Sequence, residues 1–402
     1  MSTPIPLSNA QARRLFLHRH GLAEAPAGPG RGADLMALIE QLGFVQIDSI
    51  NTVARAHDMI LFARRPAYRP GALKRLLERD RALFEHWTHD ASVIPTAFFP
   101  HWRLRFERDR ARLADRWKRW QRHGFEEKFD EVLARIAANG PVSSSDVGED
   151  EGRSSGGWWE WHPSKTALEY LWRVGDLSVT RREGFRKLYD LTERVLPDAH
   201  ATACPDPEET VDWACNAALD RLGFATSGEI AAFFATVSPA EAKAWCAEAL
   251  ARGEIVDVVV EGADGAPRRS FARPDVAEAA ADAPAPPGRI RILSPFDPAL
   301  RDRKRAERLF GFSYRIEVFV PEAQRLYGYY VFPVMEGDRL IGRIDMKARR
   351  DEGVLAVRAF WPEAGVAMGK GRLARLEATL DRMAGFAGCE RVGFDPGWLR
   401  EG

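Results

Sequence analysis

The chain has little cysteine: four residues in 402, at positions 204, 215, 246 and 389. There is no Cys-x-x-Cys pair and no histidine at a zinc-ligand spacing from any of them. That excludes a disulfide framework and a zinc-finger arrangement, and it reads as reduced, buried thiols of a cytosolic protein. Long apolar runs are missing too. No stretch approaches the ~18 consecutive apolar residues of a membrane-spanning helix. Residues 1–15 lack the apolar core of a signal peptide, so a soluble, intracellular, cytoplasmic protein is expected. Charge of one sign is not in excess either: 58 Lys and Arg balance 58 Asp and Glu. No global field draws this chain to nucleic acid, so a nucleic-acid surface would have to come from local clustering of basic residues.

What is present is an ordinary globular share of apolar residues, 45%, with twelve Trp that fall in clusters. The length implies roughly two to four domains. His86-Trp87-Thr88-His89 places two histidines three apart, but nothing nearby completes a metal site, and a structural hydrogen-bonding role is expected. The stretch with chemical content is Gly43-Phe44-Val45-Gln46-Ile47-Asp48-Ser49-Ile50. Its alternation has period two and predicts a short half-buried strand. On such a strand Gln46 and Asp48 share a face, roughly 7 Å apart. An amide beside a carboxylate can place and activate one water, and the carboxylate can stabilise a positive charge developing next to it. The alternative is a solvated edge strand carrying two ordinary polar residues.

Along the chain, Ser8 is a candidate N-cap for a helix over 10–20. Residues 34–42 predict a helix closed by Gly43, and 70–81 another. Strand-like stretches follow at 83–87 and 91–95. Helix, helix, strand, helix and two short strands fit a winged-helix unit over 1–122. A long helix over 102–121 puts Arg105, Arg108, Arg112, Arg116 and Arg119 in one stripe, opposite Trp102, Phe106, Leu113, Trp117 and Trp120. The stripe is either a solvated face or a phosphate-facing surface. A helix over 125–139, a second beginning at Ser143-Ser144-Ser145-Asp146, a third over 164–175 carrying Lys165 and Arg173, and strands at 176–180 and 183–189 repeat the plan over 123–200. Helices at 207–222, 226–234 and from 238, with a hairpin at 253–260 and 268–273, repeat it over 201–275. Residues 275–287 are rich in Ala and Pro and read as a linker. Beyond it the pattern turns to β-structure. Residues 314–320 alternate strictly, 327–335 and 339–348 flank a turn at Glu336-Gly337-Asp338, and 354–361 pair after Gly353. Consecutive antiparallel strands suggest a small barrel or curled sheet over 276–402, closed by a helix at 373–387.

Several of these segments together resemble the winged-helix DNA glycosylases of the YcaQ/AlkZ type. Gln46-Ile47-Asp48-Ser49-Ile50-Asn51 is similar to the Gln-aliphatic-Asp motif of the YcaQ branch, where the AlkZ branch has Gln for Asp. Ala54-Arg55-Ala56-His57 and residues 83–91 follow, then Trp159-Glu160-Trp161-His162-Pro163-Ser164-Lys165. Leu293-Ser294-Pro295-Phe296-Asp297-Pro298, Arg303 and Leu309-Phe310-Gly311-Phe312 complete the set in family order. The resemblance implies an α+β, C-shaped fold of three tandem winged-helix units scaffolded around a C-terminal β-barrel. It implies a monofunctional glycosylase, without metal or other cofactor, that hydrolyses the N-glycosidic bond of N7-alkylated purines in double-stranded DNA. In the YcaQ branch it implies unhooking of interstrand crosslinks.

Carried onto this chain, the catalytic pair is Gln46 and Asp48. A DNA-contacting hairpin is expected and is placed at the 336–339 turn. The candidate DNA contacts are Arg55, His57, Arg105, Arg112, Arg116, Lys165, Arg303, Arg339 and Arg343. His162 and Ser164 around Pro163 depart from the more basic stretch the family would have. A nucleoid-associated monomer is expected, with no membrane partner. The competing reading is a non-catalytic winged-helix transcription regulator, against which stand weakly basic recognition helices and no strong dimerisation segment. A third, a protein-interaction scaffold, predicts no salt-dependent DNA binding.

Overall fold

The structure, a computed structural model, describes residues 3–119, 124–148 and 162–401. The chain divides into two compact units, one built from residues up to 72, 218–230 and 243 onward, the other from 73–217 and 231–242. No helix among the described residues is long and apolar enough to cross a membrane.

The first unit contains two sheets. In one, Ile5–Leu7 pairs in parallel with Val256–Glu261, which continues antiparallel to Pro267–Ala272 and then Phe224–Ala225. The helix Asn9–Arg19 starts beside its first strand, with Ser8 and Gln11 closing a capping box. The other sheet has five strands in the order Ile290–Ile292, Val331–Glu336, Arg339–Arg349, Val354–Pro362, Arg391–Phe394. Only the last pairing is parallel, because the helix Lys370–Ala387 carries the chain back between its two strands. The turn at Gly337 and Asp338 forms where the sequence placed it, with Gly337 at φ +61°. Gly342 in the long central strand is required by close approach: a Cβ there would lie 2.5 Å from the Trp361 carbonyl oxygen.

The second unit contains the helix Phe99–Arg119 and the antiparallel hairpin Leu83–Trp87 with Ala91–Pro95. It continues as helix Phe129–Asn139, strand Val142–Ser143, helix Pro163–Arg173 and the hairpin Leu177–Glu183 with Arg186–Leu191. Ile136, Leu168, Leu171, Trp172 and Leu177 form its core. His86 is buried there, its Nε2 3.1 Å from the Trp172 carbonyl, a structural role.

Four sequence expectations are corrected. Residues 314–320 form no strand. The Glu317 carboxylate accepts the backbone N–H groups of Leu326, Tyr327 and Gly328 at 2.9, 2.8 and 3.0 Å. It supplies the partner that a neighbouring strand would have supplied, and the segment closes on itself as a loop. Residues 143–146 form no helix: Asp146 accepts from the Ser143 N–H and hydroxyl, and this local bond competes with helical pairing. The stretch read as a linker contains the helix Val276–Asp282, as its alanines favour. Of the four thiols, Cys204 is exposed. Trp120, Gln121 and the Trp159-Glu160-Trp161 segment lie outside the described residues.

Candidate active site

The helix Gly32–Leu42 is amphipathic, with Leu35, Leu38, Ile39 and Leu42 buried. It ends because Gly43 takes φ +82°, and its N–H caps the Ile39 and Glu40 carbonyls. That reversal delivers the chain into a strand much shorter than the alternation suggested. Only Val45–Gln46 is extended and paired, and both are buried, Gln46 at 3% exposure. The sequence pattern failed here because both sides of the segment are covered. Phe44, Val45, Gln46 and Ile47 are all buried, so alternation no longer marks a solvent face.

Asp48 lies just past the end of the strand and is half-buried. Its Oδ1 accepts the Ile50 backbone N–H at 2.7 Å, an Asx-type turn that fixes the carboxylate relative to the main chain. Farther on, the Thr52 carbonyl accepts from Ala348 N–H at 2.7 Å and the Val53 carbonyl from the Arg350 guanidinium at 2.5 Å. The loop carrying Asp48 is therefore pinned to the end of the long central strand of the five-stranded sheet. Arg55 is the N-cap residue of the helix Ala56–Arg64. His57 Nε2 lies 3.7 Å from Asp58 Oδ2. Burial raises the Asp58 pKa, while the Tyr68 hydroxyl, donating at 2.7 Å, and Arg55 pull it down.

That helix is anchored at its far end by an ion pair without solvent exposure. Arg64 donates Nη1 and Nη2 to the two Asp297 oxygens at 2.8 and 2.9 Å, and Nε to the His20 carbonyl at 2.7 Å. Bidentate geometry of this kind fixes direction as well as distance. Asp297 belongs to Leu293-Ser294-Pro295-Phe296-Asp297-Pro298, so the clamp joins that segment to the helix following the Asp48 loop. The same segment carries Ser294, buried without exposure, and Phe296, whose ring lies 6.1 Å from that of Tyr330. Tyr330, 1% exposed, has its phenol pKa pushed up by burial first and by the charge of Asp48 next. Sequence reasoning singled out the 293–298 segment only for its family resemblance and gave Ser294, Asp297 and Tyr330 no place beside Asp48. An Asp inside the apolar Ser-Pro-Phe-Asp-Pro run was the one available signal.

The other candidates fall in different settings. Arg303 is half-buried, donates to the Pro295 carbonyl at 2.6 Å and covers the Tyr314 ring at 4.6 Å; burial lowers its pKa. Arg343 is buried, paired with Glu363 and packed on the rings of Phe312 and Tyr327. Arg339 is exposed beside the 336–339 turn. The acidic residues of that turn are engaged within the unit: Asp338 pairs with Arg13, and Glu336 with Arg372 and Arg375.

In the second unit the arginine stripe is split by burial. Arg105 is 7% exposed and donates to the Phe234 and Ala235 carbonyls, so its charge is directed inward. Arg108 pairs with Glu241 at 2.5 Å. Arg112 and Arg116 are exposed, with Arg112 also 2.7 Å from Asp109. Lys165 is half-buried.

Chemically, the first unit holds a buried amide and a half-buried carboxylate two residues apart on a backbone fixed at several points. Such a pair can orient a water and face a cationic centre without reorganising. The solved structure of the DNA glycosylase AlkZ from Streptomyces sahachiroi superposes with a TM-score of 0.67 at 17% identity, covering 98% of this chain and 100% of that one. It establishes a shared mixed α+β fold. At the level of sequence, residues 39–386 match the AlkZ-like DNA glycosylase family, a stretch that takes in the Gln46–Asp48 site, the Asp297 clamp and the five-stranded sheet up to its fourth strand, and the chain belongs to that family.

Proposed function

We propose that this protein is a monofunctional DNA glycosylase that hydrolyses the N-glycosidic bond of N7-alkylated purines in double-stranded DNA and unhooks interstrand crosslinks joined through such bases. The observation that carries the reading is the fixed Asp48 carboxylate beside buried Gln46, in a chain of a glycosylase family. An N7-alkylpurine already bears a positive charge and leaves as a neutral base, so no general acid is needed. The C1′–N9 bond breaks and its electron pair stays on N9, cancelling the ring charge. The sugar becomes oxocarbenium-like, the same electronic problem as in glycoside hydrolysis. Asp48 stabilises that cation and takes a proton from the water whose oxygen bonds to C1′. Gln46 holds this water through its amide.

The chain works as a monomer, with three winged-helix units over 1–122, 123–200 and 201–275 and a β-barrel region over 276–402. Exposed Arg112, Arg116 and Arg339 and half-buried Lys165 face DNA phosphates. Arg105 and Arg343, being buried, are not in that set. Crosslinked bases are tied to both strands and resist extrusion into a deep pocket, which suits a half-buried, loop-borne carboxylate pinned at the end of a sheet strand. The test is base release from a duplex carrying one N7-methylguanine, read by alkali cleavage, with a nitrogen-mustard crosslink as second substrate. Asp48→Asn is expected to lower the rate by about 10²–10³ at nearly unchanged DNA affinity. Bound DNA without release from either substrate by the wild type overturns the reading.

A further inference from the structure

The phenol of Tyr330 is out of place for a purely structural residue. Its ring is seated among apolar neighbours, edge-on to Phe332 at 5.2 Å and tilted against Phe296 at 6.1 Å. The hydroxyl is buried, yet no protein atom among the described residues meets it in hydrogen-bonding geometry. A buried hydroxyl left in that state is costly to the fold. The nearby phenol of Tyr314 shows the ordinary solution, donating to the Val331 carbonyl at 2.5 Å. After burial, the charge of Asp48 is the largest influence on the Tyr330 phenol and raises its pKa, while the Ser294 hydroxyl, facing it short of full hydrogen-bonding geometry, lowers it.

The backbone explains how Asp48 comes to be there. Thr52, four residues past Asp48, is tied to Ala348 on the central strand. That strand pairs Asp345 with Val331, the residue after Tyr330. One sheet therefore sets both the Asp48 loop and the start of the Val331–Glu336 strand. A polar group kept short of a well-formed bond at such a place is a reserve for a partner that moves into reach in the substrate complex.

We propose that Tyr330 is a positioning residue for hydrolysis: in the substrate complex its hydroxyl donates a hydrogen bond to the Asp48 carboxylate, fixing the direction from which that carboxylate meets the attacking water. The inference rests on the glycosylase reading above and on Asp48 as its carboxylate. Tyr330 does not itself touch the reacting atoms, and it exchanges no proton in the step.

The test is Tyr330→Phe, which keeps the ring and its packing and removes only the oxygen. Single-turnover base release from the N7-methylguanine duplex is measured across enzyme concentrations, so that the limiting rate and the half-saturating concentration are separated. Thermal unfolding is followed in parallel. The limiting rate is expected to fall at least tenfold with the half-saturating concentration within twofold of wild type, and the unfolding midpoint to be equal to or above wild type. A merely structural tyrosine gives the reverse, an unchanged rate with a lower midpoint, and that result overturns the proposal. So does a loss confined to half-saturation. The two readings fail separately: a wild type that releases no base refutes the glycosylase, and an Asp48→Asn protein as fast as wild type refutes the carboxylate. Only an unimpaired Tyr330→Phe beside an active wild type and an impaired Asp48→Asn refutes the positioning role alone.

Discussion

Replacing Asp297 by Ala removes one half of the ion pair that anchors the helix after the Asp48 loop. Both side chains of that pair have no exposure. The variant leaves the Arg64 guanidinium in place with its bonds to the His20 and Ile60 carbonyls but without its two carboxylate bonds. An unpaired charge in such a site costs about 3–5 kcal/mol, a large part of the 5–15 kcal/mol that holds a typical domain together. Arg64→Met is expected to cost a similar amount, since Asp297 then loses both guanidinium bonds and, among the described residues, keeps the Ala299 N–H donating to it. Additive singles would sum to about 6–10 kcal/mol. The double variant Arg64→Met, Asp297→Leu removes both charges, and a buried pair exchanged for apolar side chains of similar bulk is often nearly neutral. It is expected to lie within about 2 kcal/mol of wild type, a coupling of several kcal/mol. The assay is urea unfolding of wild type, both singles and the double. A double variant as unstable as the sum of the singles would refute the view that stranded charge, rather than lost packing, is the source of the cost. Base release by the double, measured where it is fully folded, then reports what the clamp contributes to the site beyond stability.

Three further outcomes follow from charge placement. Burial first, then the positive charges of Arg64 and Arg305, lowers the His20 pKa from 6.5 to about 3, with a bond to the Phe16 carbonyl and the charge of Asp297 opposing. The unfolded chain therefore takes up this proton first, and stability is lost as pH falls from about 6.5 towards 3, by about 1.4 kcal/mol per pH unit. His20→Gln is expected to flatten the pH dependence of urea unfolding by that one proton; an unchanged slope refutes the assignment. Buried His86 shifts in the same direction, so a residual slope remains. Exposed Arg112 and Arg116, changed together to Gln, are expected to reduce the slope of log DNA affinity against log salt by about 1.8, at about 0.9 per phosphate contact. Arg105→Gln, a buried change, is expected instead to lower stability and leave that slope alone, and a reduced slope there refutes its inward role.

Local rules were legible wherever a few neighbouring residues decide the outcome. Ser8 and Gln11 close their helix, Gly43 stops another, and Gly337 turns the hairpin at its expected place. The Gln46-Ile47-Asp48 motif was visible in the chain because an amide and a carboxylate two residues apart are a matter of covalent order. The geometry around it was not. Alternation promised a strand through residue 50, but both faces are covered and the ladder stops at Gln46. The five arginines of the 102–121 stripe looked equivalent at helical spacing, and packing turned Arg105 inward to two carbonyls while leaving Arg112 and Arg116 at the surface. Residues 314–320 had the pattern of a strand, and one carboxylate, Glu317, folded them into a loop.

The sequence by itself determined where helices start and stop, which residues carry reactive groups, and the family that their order betrays, since each depends on covalent neighbours. Tertiary structure alone decided that Asp297 answers Arg64 across more than two hundred residues, that residues 47–53 hang from the end of a distant strand, and that the Tyr330 phenol is buried near Asp48. Those pairings rest on long-range burial and on the strength of charges and hydrogen bonds out of water. No local pattern encodes them.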